Sequence, residues 1–182
     1  MKPRVLFVDD EPELLESVCD ALRKKPYRIV TASSGKEALA RLEADAEIRV
    51  VVSDERMPEM TGHEFLGQVR RNHPQTVRVM LTGQADMSAI VSAINDGEIF
   101  RFLSKPCAAE TLHEVIELAL QITQRMNRET VEDPDEFLRK TALNLLEERH
   151  PGITEIERGT SGAIVINERP SEIDALLASY RH

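Results

Sequence analysis

Short apolar runs and helix-like periodicities alternate along most of the chain. Arg4–Val8 is a run that ends at two acids, Asp9 and Asp10. Glu13–Lys24 follows, with Leu14, Leu15, Val18 and Leu22 spaced to line one helical face. Arg28–Thr31 is a second run, and Lys36–Glu43 a short helical pattern with Ala38, Leu39 and Leu42 inward. Val50–Val52 leads to Asp54. Gly62–Arg71 carries Phe65, Leu66 and Val69 at helical spacing, and Val77–Leu81 leads to Thr82. Met87–Asn95 predicts a fourth helix, Phe100–Leu103 a fifth strand, and Ala109–Arg128 a long fifth helix. Strands that are apolar throughout are buried on both faces, which requires a parallel sheet covered by helices. The predicted class is α/β, with five strands flanked by five helices. In such sheets the functional site lies beyond the carboxyl ends of the strands, and the notable polar residues fall there.

The pattern changes after the fifth helix. Asn127–Pro134 is charged and reads as a linker. Asp135–Arg149 has an amphipathic spacing and is stopped by His150-Pro151-Gly152. Ile153–Arg158 and Ala163–Asn167 flank Gly-Thr-Ser-Gly, the pattern of a hairpin. Ser171 is placed to cap a last helix through Tyr180. The expected organisation is a main domain over 1–126, a linker over 127–134, and a small α+β extension over 135–182.

Composition narrows the function classes. The net charge of −9 and the acidic balance after residue 130 argue against DNA binding, which needs clustered Lys and Arg. No stretch approaches the roughly 18 apolar residues of a membrane helix, and the N-terminal run is too short for a signal-peptide core. The two cysteines, Cys19 and Cys107, have no ligand-like spacing. A cytoplasmic protein is the expectation.

Asp9, Asp10, Asp54, Thr82 and Lys105 all fall at strand ends and are expected to meet at one edge of the sheet. Clustered carboxylates repel one another unless a cation sits among them, and hard oxygen ligands with room for water suit Mg²⁺. A carboxylate beside such a metal is a competent nucleophile toward a phosphoryl group. A nearby lysine would offset charge on the transferring oxygens. In isolation Asp9-Asp10 is as readily a helix cap, Thr82 a turn residue, and Phe102 plain core packing.

Four motifs taken together resemble the receiver domains of bacterial two-component response regulators. They are Val8-Asp9-Asp10-Glu11, Ser53-Asp54-Glu55-Arg56-Met57-Pro58 with Gly62 four residues on, Leu81-Thr82-Gly83, and Phe102-Leu103-Ser104-Lys105-Pro106. The resemblance covers about residues 3–125. The Ser53–Pro58 segment and Asp96-Gly97-Glu98-Ile99-Phe100-Arg101-Phe102 narrow it toward receivers of HD-type cyclic-dinucleotide phosphodiesterases and of hydrogenase-type activators. Neither output is found here, and the extension resembles no family.

The resemblance implies strand order 2-1-3-4-5 and a role for each matching position. Asp54 matches the phosphoacceptor. Asp10, Asp54 and the backbone carbonyl of Arg56 match ligands of Mg²⁺ (or Mn²⁺), with Asp9 acting largely through water. Lys105 matches the lysine that pairs with the acyl phosphate, Thr82 the switch hydroxyl, and Phe102 the aromatic that follows it. Lys105-Pro106 matches a cis peptide bond. Arg56 and Gln84 hold the positions that tune phosphate loss. The implied partners are a histidine kinase or phosphotransfer protein, and a second copy through the fourth helix, fifth strand and fifth helix or through the extension. The fifth helix carries two apolar lines, one of which could face a partner. Two alternatives stay open: an extension with its own ligand-binding or catalytic output, and an aspartate-nucleophile phosphohydrolase. The second usually needs an acid where Arg56 stands.

Overall fold

A computed structural model of the chain describes residues 2–83, 99–128, 133–138 and 140–141. Five strands form one parallel sheet: β1 (Arg4–Val8), β2 (Arg28–Ala32), β3 (Ile48–Asp54), β4 (Val77–Thr82) and β5 (Arg101–Ser104). Their order is β2-β1-β3-β4-β5. Among the described residues four helices accompany them: α1 (Pro12–Leu22), α2 (Gly35–Ala44), α3 (Gly62–Asn72) and α4 (Ala109–Arg128). The helix expected over Met87–Asn95 lies outside the described residues.

Local chemistry fixes the helix starts. Pro12 opens α1, where its missing N–H costs nothing. Ser34 caps α2 by accepting from the Glu37 amide. Thr61 and Glu64 form a reciprocal capping box on α3.

Register sorts the core into two layers. Leu6, Val8, Val51 and Met80 share one face and pack with Ala38 and Leu42 of α2 and Phe65, Leu66 and Val69 of α3. Val5, Phe7, Val50, Val52 and Val79 point the other way and are fully buried, on the side where α4 meets β3, β4 and α1. Both apolar lines of α4 are covered within the single chain. Leu112, Val115, Ile116, Ala119, Leu120, Ile122 and Met126 are all buried.

The chain divides into compact units Met1–Thr141 and Ala142–His182. The first therefore includes a helical turn at residues 134–138 beyond α4. The remainder of the helix expected over Asp135–Arg149, the hairpin and the last helix lie outside the described residues. No helix of the described residues is long and apolar enough to cross a membrane.

Candidate functional site: an acidic cluster at the carboxyl ends of the strands

Because the sheet is parallel, the ends of β1, β3 and β5 bring Asp9, Asp54 and Lys105 to one pole. Asp9 and Asp54 are buried, at 2% and 7% exposure. Lys105 Nζ bridges them, 2.7 Å from Asp9 Oδ2 and 2.5 Å from Asp54 Oδ1. Burial pulls the Lys105 ammonium down, but its hydrogen bonds to Asp54 and Asp9 outweigh that and hold it above its ordinary value.

Backbone groups orient both carboxylates. The Arg56 amide donates to Asp54 Oδ2 at 2.8 Å. The Glu11 amide donates to Asp9 Oδ1 at 3.0 Å, so Asp9 also secures the turn into α1. The strand end itself is held by Glu55 N–H to Leu81 O (3.0 Å) and Gly62 N–H to Glu55 O (2.9 Å). Gly62 is required for this close approach. A Cβ there would sit 2.1 Å from the Asp54 carbonyl oxygen. The motif-bearing glycine thus holds the backbone of Asp54.

The other expected residues are placed as follows. Thr82 ends β4 and is buried, and its carbonyl accepts from Lys105 N–H at 2.8 Å. Phe102 pairs in register with Met80, and Thr82 with Ser104, so Thr82 and Phe102 share a sheet face two positions apart. Phe102 is partly buried against the core. Asp10 and Arg56 are exposed. The Lys105–Pro106 bond is cis. Gln84 lies outside the described residues. Two contacts have no counterpart in the sequence reading: the Arg56 amide on Asp54, and the direct ion pair of Asp9 with Lys105. Neither a backbone donor nor a pairing across 96 positions leaves a local pattern.

Residues 5–117 match the response regulator receiver domain. The chain belongs to that family. Its receiver is 35% identical over 120 residues to the hydrogenase transcriptional regulatory protein HoxA of Cupriavidus necator, covering 64% of this chain and 24% of that one. It is 34% identical over 117 residues to the transcriptional regulatory protein GlrR of Escherichia coli K12, covering 64% and 26%. Among solved structures, the signal receiver domain of an HD domain-containing protein from Pseudomonas fluorescens Pf-5 superposes with a TM-score of 0.65. It is 33% identical and covers 69% of this chain and 99% of that one. The chain spans about a quarter of the length of these curated relatives. Receivers are phosphoacceptor switches that work with histidine kinases or phosphotransfer proteins and generally bind Mg²⁺ at the phosphorylation site.

The residues present fit such a cation. Two carboxylates against one ammonium leave a negative charge uncompensated. Among the described residues no three His, Cys, Asp or Glu side chains gather into a cage. Mg²⁺ does not need one, because it is commonly held by one or two carboxylates with water and phosphate oxygens completing the shell.

Proposed function

We propose that Asp54 is the phosphoacceptor of this receiver and takes a phosphoryl group from a phosphohistidine donor. A carboxylate oxygen of Asp54 attacks phosphorus, the P–N bond breaks, and the electron pair leaves with the donor imidazole, which takes up a proton. The observation that carries this reading is the buried Asp54 carboxylate held between Lys105 Nζ and the Arg56 amide. Such a carboxylate is aimed without reorganisation at the moment of reaction. Lys105 offsets charge on the transferring oxygens. Asp9, Asp10, Asp54 and the Arg56 carbonyl would hold Mg²⁺ (or Mn²⁺), which supplies charge neutralisation to the phosphoryl oxygens.

Thr82 then bonds a phosphoryl oxygen, and Phe102 follows it on the shared face. The result is a population shift at the surface shared by the fourth helix of the sequence pattern, β5 and α4. The arginine at position 56 and Gln84 tune the access of hydrolytic water. Output passes by changed protein–protein contact, a second copy of the chain included, either at that surface or through residues after 141. The apolar lines of α4 are already covered, so a partner there meets its exposed Gln121, Gln124 and Arg125.

The test is incubation with acetyl phosphate and Mg²⁺ followed by intact mass. The expected result is gain of one phosphoryl group that is lost in Asp54→Asn and without the metal. Modification that survives Asp54→Asn rules the proposal out.

A further inference from the structure

The opposite pole of the sheet carries a second charge cluster. Arg78 stands near the start of β4, on the face it shares with Met80 and Thr82. Its guanidinium is always charged, yet the residue is only 1% exposed. Nη1 donates to the Thr76 carbonyl at 3.0 Å, and Nη2 to Asp135 Oδ1 at 2.8 Å. The other Asp135 oxygen accepts from Arg70 Nε at 2.7 Å, in the last turn of α3. Asp135 belongs to the turn beyond α4. Asp133 starts that turn by accepting from the Asp135 and Glu136 amides at 3.0 and 3.1 Å, with Pro134 in its first position. Leu138 and Thr141 are buried behind it. Two arginines thus grip one carboxylate, in charge-assisted bonds stronger than neutral ones.

The grip is tied by backbone to the proposed switch. Phe100 N–H donates to the Arg78 carbonyl at 2.7 Å and leads directly into β5. There Phe102 lies in register with Met80, between Arg78 and Thr82 on one face. A displacement of Thr82 and Phe102 therefore acts on the short strand whose other end holds Asp135.

We propose that Arg70, Arg78 and Asp135 form a conformational latch, in which docking of residues 133–141 is coupled through β4 and β5 to the arrangement of Thr82 and Phe102. The coupling rests on the switch reading above; the latch does not. Such coupling is reciprocal, so each end biases the other by the same factor.

Hydrogen exchange on the full chain tests both halves, with beryllofluoride and Mg²⁺ as the phosphoryl mimic and Mg²⁺ alone as the control. Asp135→Asn should lower protection of 133–141 by about tenfold or more, the worth of a charged hydrogen bond. Arg70→Gln, on the more exposed side of the grip, should act in the same direction and more weakly. It keeps the test open should the first variant fold poorly. In the unmodified chain the mimic should change protection of 133–141 by at least about fivefold. Unchanged protection of 133–141 in both variants overturns the latch. A mimic that alters the amides around Asp54 but not those of 133–141 overturns the coupling and leaves the switch reading intact. A mimic that alters neither overturns the switch reading and the coupling with it, while the two variants still decide the latch.

Discussion

The two poles of the sheet are both charge clusters, built the other way round. At the carboxyl ends of the strands two buried acids share one lysine. At the amino end of β4 two arginines share one acid. The first trio carries one net negative charge and invites a cation; at the second, both arginines meet a segment of their own chain. Their construction differs as well. The acidic pole is fixed by backbone: strand ends, the Arg56 and Glu11 amides, and the tight seat of Gly62. The basic pole depends on side chains drawn from residues 57 and 65 positions away. A site held by backbone is preorganised for chemistry, whereas one held by side chains can open without unfolding the sheet.

Substitutions sharpen that contrast in descending order of effect. Gly62→Ala should destabilise the chain by about 3 kcal/mol in urea unfolding, because backbone must move to admit the methyl group. Gly83→Ala, where nothing lies within 4 Å of the added carbon, should change stability by less than about 0.5 kcal/mol. Equal costs at the two glycines would remove the backbone argument. Lys105→Met should slow phosphorylation by acetyl phosphate about a hundredfold, the usual loss for a group that stabilises developing charge. A rate within about threefold of the parent would show that Lys105 only packs.

At the basic pole a double-mutant cycle on Arg70 and Asp135 should give a coupling of about 0.5–1 kcal/mol, because Arg70 is partly solvated. Zero coupling would leave Arg78 alone as the anchor. The smallest effect is expected at neither pole. Glu37 is held down to about 2, first by the Ser33 amide and then by Arg41. A depressed carboxyl stabilises above its ordinary value of 4.5 and loses that contribution as pH falls toward 2. Its side chain is 38% exposed, so screening leaves about 0.5 kcal/mol. Glu37→Gln should therefore be slightly less stable at neutral pH and match the parent near pH 2 by thermal unfolding.

The acidic pole was legible in the sequence because a parallel sheet converts strand-end positions into neighbours. Asp9, Asp54, Thr82 and Lys105 each follow or close an apolar run. The basic pole was not legible. Arg78 interrupts Val77–Leu81 without breaking its strand character, and nothing local to Asp135 points back to it. Residues 127–134 read as a linker from their charge, and the helical spacing expected from Asp135 includes Leu138, which is buried within the first compact unit. The two apolar lines of α4 were visible, but periodicity alone could not say whether the second faced a partner. Burial of both assigns them to this chain.

The most direct test of the central claim is to trap the acyl phosphate. After acetyl phosphate and Mg²⁺, borohydride reduces an aspartyl phosphate to homoserine, which peptide mapping locates. The account predicts homoserine at position 54 and at no other acid. Homoserine at Asp9 or Asp10, or none at position 54 in a chain that has gained a phosphoryl group, would contradict it.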